Sequence, residues 1–350
     1  MTVPAVTVPS GPAERPRPVP WLNLARVTLR QRHGLFTGLG VLLGLFAAYL
    51  VVMAVIQDSA YAAVAACHPA AAARCHELKQ AFVSEYWGGD SSVLQSGGAQ
   101  TVSSLMFAVP VLLGAFAGAP LLARELESGT FRFAWTQGAG RTRWAVSTLL
   151  VPAAVVMAAT GAFTGIFYWY FRPFIALGQV SEMLPLAFAL LGVAFAAWTL
   201  LAYSLSAFLG AVFRRTVPAM AVTLVVYVVL AMTTATAIRP HYATPVTKPA
   251  ATVSDSSSWV ISDYVRAPNG QELSQNDLYS YFRHLPASVQ DSSSPDAFTA
   301  WLAGHGYTSW TTLQPDSRFW EFQLIEGGWL LALSAALIGA TVWLLRRRGA

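Results

Sequence analysis

Six stretches of the chain are apolar and long enough to cross a bilayer. They are Leu35 to Ile56, Val102 to Leu122, Trp144 to Tyr170, Met183 to Phe213, Val217 to Ile238 and Gly328 to Leu345. A hydrocarbon core is about 30 Å thick, and about 20 residues at helical rise span it. Each stretch is expected to be a helix, because hydrocarbon offers no partner to a backbone amide and only internal hydrogen bonding removes that penalty. A transmembrane β-barrel would need short alternating segments, which the pattern lacks. The fourth stretch is longer than one perpendicular span requires, so a tilt, a bend near Pro185 or a re-entrant outer start is expected there. The fold class that follows is an all-α integral membrane protein with six transmembrane helices.

Charge sets the direction of these helices. Only 11% of the residues are charged, against about 25% in an ordinary soluble domain, so the position of each charge is informative. Lys and Arg near helix ends favour the cytoplasmic side. With the N-terminus inside, the inner segments hold fourteen arginines against three glutamates, a net +11. The outer segments hold eight basic and fourteen acidic groups, a net −6, and the two account for the overall +5. Both termini are therefore expected in the cytoplasm. The basic balance follows from topology, so no nucleic-acid partner is expected.

The parts between the spans divide as follows. Residues 1–20, rich in Pro, Val and Thr, lack the features of a signal peptide and read as a disordered cytoplasmic tail. In 21–33, Trp21, Leu22, Leu24, Ala25 and Leu29 fall on one side of a helical wheel, with Asn23, Arg26 and Arg30 opposite. This suits a helix lying along the inner leaflet in contact with membrane lipid; a plain basic anchor for the first span is the alternative. Residues 34–238 then carry spans one to five, with an outer loop at 57–100 and a cytoplasmic loop at 123–143. The polar region 239–325 lies outside, with short helices expected at Asp277 to Leu285 and Pro295 to Gly304 between Ser/Pro-rich loops. Residues 326–350 hold the last span and its Arg346-Arg347-Arg348 stop. Phe167 to Phe171, at the outer end of the third span, reads as an interfacial aromatic belt, a substrate gate being the second choice. Gly40 and Gly44, Gly114 and Gly118, and Gly161 and Gly165 are each four apart, a spacing that lets helices approach closely.

Both cysteines, Cys67 and Cys75, fall in the first outer loop, where an oxidising face favours a disulfide. His68 and His76 follow them, yet the spacing matches none of the common zinc patterns, so a disulfide is preferred and no metal is expected. In one straight helix the two Cα atoms would be roughly 12 Å apart, too far to bridge. The disulfide thus requires a bend at His68-Pro69.

Catalytic chemistry is missing. The only lysines, Lys79 and Lys248, precede Gln80 and Pro249, so there is no P-loop. No zinc-protease helix motif or nucleophile elbow occurs, and no charge is placed in the middle of a span. Coupled secondary transport usually needs such a charge. If the chain transports actively, its energy must come from a partner.

The cytoplasmic loop is where the charges gather. Its order is Ala123-Arg124-Glu125-x-Glu127-x-Gly129-Thr130-x-Arg132-x-Ala134-Trp135-Thr136-Gln137, followed by Arg141-x-Arg143-Trp144. Glu125 and Glu127 are exceptions on a strongly positive face. Gly129 suits a helix end and Thr130 a helix start. This elbow offers charges and apolar knobs to a partner; a hairpin closed by its own salt bridges is the plainer alternative. The order resembles a bacterial family of ABC transporter permease subunits of the type 2 exporter class. The segment from Leu313 to Glu326, before the last span, resembles the same family. The resemblance implies a permease that works with a separate ABC ATPase subunit and a second permease copy or a homologous permease. It implies an elbow (Arg124, Glu125, Glu127, Gly129, Thr130, Arg132) that meets the ATPase. ATP and Mg are then expected on that partner, with no cofactor bound by this chain. A polytopic sensor or assembly protein is the competing expectation, and a membrane enzyme the third.

Overall fold

The computed structural model describes residues 20–31, 33–69, 72–88, 98–128, 141–250, 258–273, 277 and 295–348. Six helices in it are apolar and long enough to cross a membrane: Phe36–Ala65, Ala99–Glu127, Thr142–Ala176, Ala194–Phe213, Thr216–His241 and Asp316–Arg347. The expected six-span helical architecture is the observed one.

The fourth span is the hub. Buried residues make up 72% of its most apolar stretch, against 11% for the first span and 22% each for the fifth and sixth. It packs along the second span, the third, the fifth and the sixth. Gly114 and Gly118 bring the second span directly onto the backbone of the fourth. A Cβ on Gly114 would lie 2.6 Å from the Ala202 carbonyl carbon, and one on Gly118 2.9 Å from the Ser206 Cβ. Ser206 donates to the Ala115 carbonyl (3.2 Å) and Tyr203 reaches the Leu149 carbonyl of the third span (2.8 Å). The pairs Gly40 and Gly44 and Gly161 and Gly165 face open space. Of the three glycine pairs, then, one makes a close helix contact within the chain.

Two spans are interrupted. The second is a helix over Ala99–Met106 and another over Val109–Ser128; Pro110 has no N–H to offer the Met106 carbonyl, which accounts for a break just before it. The fourth begins as a short helix, Pro185–Leu190, stops, and restarts at Ala194. Gly192 takes the left-handed φ of +62° at that stop, a conformation glycine adopts at little cost. A broken start therefore accommodates the excess length of the fourth stretch.

The region between the fifth and sixth spans adds what the helical class did not contain. Strands β1 (Val246–Pro249), β2 (Ser258–Arg266), β3 (Glu272–Leu273) and β4 (Thr308–Pro315) form one antiparallel sheet in the order β1-β4-β2-β3. The Trp, Val, Ile and Tyr of β2 suit a half-buried pleated surface, and Trp259, Val265, Leu273 and Leu313 are buried on it. Ser258, which closes the serine-rich stretch Ser254 to Ser258 that reads as one of the Ser/Pro-rich loops, is the first residue of β2. The helix expected at Pro295 to Gly304 is present; the one at Asp277 to Leu285 lies outside the described residues except for Asp277, which is helical.

The aromatic run ending the third span divides between two roles. Phe167, Tyr170 and Phe171 are buried, whereas Tyr168 and Trp169 face outward. The buried rings meet Trp87 from the first outer loop, and Phe82 packs on Phe174 in the same cluster. Only the outward pair is placed to act as a belt. On the opposite end, the helix Trp21–Gln31 packs on the start of the third span, with the Arg143 guanidinium 4.9 Å from the Trp21 ring centre.

Candidate functional site

The elbow begins as an unbroken continuation of the second span. Leu121, Leu122 and Ala123 are fully buried, and the two leucines pack, with Leu126 beside them, against Ala145, Leu149, Ala207, Ala211 and Leu345. The second, third, fourth and sixth spans thus share one apolar cluster at this end of the bundle. The same helix then carries Arg124, Glu125 and Glu127 beyond that cluster, ending at Ser128. Arg124 and Glu127 are exposed and Glu125 is half-buried. Gly129, Thr130 and Arg132 lie outside the described residues, as does the helix break expected there.

The loop between the fourth and fifth spans comes to the elbow's side. Arg214 ends the fourth span in a left-handed conformation (φ 55°), its N–H on the Gly210 carbonyl at 3.0 Å, and the fifth span starts at Thr216. This tight turn places Arg215, Thr216, Val217 and Pro218 around a cleft of about 470 Å³ whose other wall is Glu127. Val217 is 76% exposed. Charge, an apolar knob and a cleft therefore lie together on one end of the helix bundle, contributed by the end of the second span and the turn between the fourth and fifth.

At the other end, the segment from Leu313 to Glu326 is a strip of polar anchors. Gln314 donates to the carbonyls of Pro240 (3.1 Å) and Ala243 (2.8 Å), and Arg318 to Thr244 and to Gln314, each at 2.7 Å. Ser181 donates to Asp316. Gln323 fills the break in the fourth span: its Oε1 accepts from the Ala194 N–H (2.8 Å) and its Nε2 donates to the Phe188 carbonyl (2.9 Å). Those are backbone groups that the interrupted helix would otherwise leave without partners. Glu326 is fully buried and meets Arg239, at the end of the fifth span, through two 2.8 Å hydrogen bonds, from Nε to Oε2 and from Nη2 to Oε1. Trp198 of the fourth span donates to Oε1 at 2.8 Å and Tyr242 to Oε2 at 3.2 Å. The Arg239 guanidinium also lies 4.3 Å from the Phe188 ring centre.

Arg239 and Glu326 sit at span boundaries in the sequence, and the fold draws both out of solvent. The pair ties the fourth, fifth and sixth spans together. Nearby, Glu182 is pushed above the usual carboxylate range, first by burial and then by the Asp316 charge.

In the first outer loop Cys67 and Cys75 are joined in a disulfide with Cα atoms 5.6 Å apart, and the chain turns at His68-Pro69 between helices ending at Ala65 and starting at Ala73. Neither thiol is free for a metal, and among the described residues no cluster of three metal-ligand side chains occurs. Closing so short a loop restrains the unfolded chain by about 2–3 kcal/mol. Cys67→Ser is expected to lower the thermal midpoint in detergent to the same extent as reduction of the wild type, with no further loss when the variant itself is reduced.

One family model, ABC-2 membrane transporter related, matches residues 40–239, from the first span to the end of the fifth. The chain belongs to the ABC-2 membrane transporter related family. No curated protein and no solved structure matches it. The elbow and the turn beside it both fall inside the matched region, and the anchor strip from Leu313 lies beyond it. As an ABC-2 permease-like chain it is a multi-pass membrane component of a transporter, a class that is generally not itself enzymatic.

Proposed function

We propose that this ABC-2 permease moves a hydrophobic or amphipathic substrate outward across a bacterial plasma membrane, driven by a separate ATPase subunit that binds ATP and Mg. Two copies, or this chain and a homologous permease, form the pathway, with both termini in the cytoplasm. The observation that carries the proposal is the joint surface of Arg124, Glu125 and Glu127 with Arg215 to Pro218. Rigidly seated on the apolar cluster of Leu121, Leu122 and Leu345, this surface passes a push from below directly into the second and fourth spans. Closure of the ATPases would rock those helices between inward- and outward-facing arrangements. Gly129, Thr130 and Arg132 complete the elbow in this reading.

The test is purification of the tagged chain from its native membrane with assay of vanadate-sensitive ATP hydrolysis. A P-loop ATPase is expected to co-purify, and the double reversal Glu125→Arg, Glu127→Arg is expected to lower its recovery at least tenfold while the permease keeps its thermal midpoint. Recovery of the chain alone, under conditions that preserve other ABC complexes, would favour the sensor reading instead.

A further inference from the structure

Between the second, fourth and fifth spans, on their outer half, lies a cleft of about 450 Å³. That is within the range of sites that enclose small organic molecules. It exists because two spans are interrupted: Phe107 and Pro110 flank the break in the second, while Leu186 and Leu190 come from the short helix that precedes the break in the fourth. Ala231 and Met232 of the fifth span complete the apolar wall, with Met232 54% exposed at the rim.

Two donors line it. Tyr227 is 4% exposed, and its hydroxyl has no hydrogen-bond partner among the described residues. Arg239 also lines the cleft; its Nε and Nη2 are held by Glu326, and Nη1 makes only a long contact, 3.3 Å, to the Pro185 carbonyl. The site therefore offers N–H and O–H donors without net charge, since Glu326 neutralises the guanidinium. An anionic head would find the Arg239 charge already balanced by Glu326 behind it, and a cationic one would face Arg239. An uncharged acceptor such as an ester, amide or ether oxygen meets neither penalty and gives the phenol the partner that a buried hydroxyl requires.

We infer that this cleft binds an uncharged amphiphile, an elongated apolar body with a hydrogen-bond acceptor at one end, and that this is the substrate class of the permease. The second half rests on the transport reading above; the binding half stands without it.

The probe is 1-monolauroylglycerol carrying a photoreactive diazirine in its chain, applied to the full-length protein in nanodiscs. Labelling is expected on the peptides holding Phe107 and Met232. Unlabelled 1-monolauroylglycerol should compete at least tenfold better than dodecanoate or dodecylamine. Tyr227→Phe, which removes only the hydroxyl, should weaken binding about five- to tenfold. Ala235→Trp, which fills the cleft, should abolish labelling; Met232→Trp at the rim serves the same purpose if the first variant melts early. Equal competition by dodecanoate, or labelling that survives both tryptophans, overturns the site. A second arm measures ATP hydrolysis of the co-purified complex, where the glyceride should stimulate the wild type and not Ala235→Trp. Labelling without stimulation makes the occupant a resident lipid and overturns the substrate assignment. Failure of any ATPase to co-purify defeats the exporter reading and leaves the labelling result intact.

Discussion

Glu326→Gln is expected to destabilise the folded protein by about 3–5 kcal/mol, the usual cost of removing one partner from a buried ion pair. Arg239 is 2% exposed, so its charge cannot recover the lost interaction from water. Two of its N–H groups would face an amide that matches them poorly, and the amide's own N–H₂ would point at Arg239 or at the Trp198 or Tyr242 donors. Loss should appear as a collapsed monodisperse yield and a much lower thermal midpoint in detergent. The double variant Arg239→Met, Glu326→Leu removes both charges together and should recover more than half of the loss, because an apolar pair carries no desolvation penalty. Full recovery is not expected: Trp198 and Tyr242 would still lose their acceptor, at about 1–3 kcal/mol for a buried donor left unmade. A Glu326→Gln protein that melts with the wild type would show that water reaches the pair and that it does not tie the three spans.

That pair also marks where the sequence stopped being legible. The spans and their number follow from hydropathy, because a bilayer imposes one length on every segment that crosses it. The bend at His68-Pro69 could be reasoned out from disulfide reach alone. The burial of Arg239 and Glu326 could not, since they are 87 positions apart and each looks like an ordinary boundary charge. The same holds for β2 and β4, whose pairing brings Trp259 opposite Gln314 across more than fifty residues of chain. Local pattern carries no information on which distant strand or carboxylate will be the partner. One signal was readable in retrospect: the segment from Leu313 to Glu326 interleaves seven polar side chains with large apolar ones, among them the four anchors Gln314, Asp316, Gln323 and Glu326. Such a strip is unusual directly before a membrane span, and in the fold every one of those four finds a partner in a preceding span or its outer loop.

The glycine pairs give the second large effect and a built-in control. Gly114→Leu is expected to abolish the folded protein, and Gly114→Ala to cost about 1–3 kcal/mol, the usual range for overpacking. A methyl at Gly114 would press on the backbone of the fourth span, with the Ala202 carbonyl carbon and the Tyr203 nitrogen both 2.6 Å from the new carbon. Backbone cannot rotate away as a flexible side chain can. To admit the methyl the two helices must separate, and separation loosens the Ser206 to Ala115 contact one turn away. The same substitution at Gly40 or Gly161 meets nothing within 4 Å and should leave the thermal midpoint unchanged or slightly raised, since alanine is the better helix former by about 1 kcal/mol. Three equal four-residue spacings thus separate into one packing contact and two surfaces free of contact within the chain. A Gly114→Ala variant as stable as Gly161→Ala would mean that the second and fourth spans can part at no cost. Their close packing would then be incidental to how the elbow's motion reaches the rest of the bundle. A loss confined to Gly114 and Gly118 would place the rigid element of the permease at this helix pair, directly above Glu125 and Glu127.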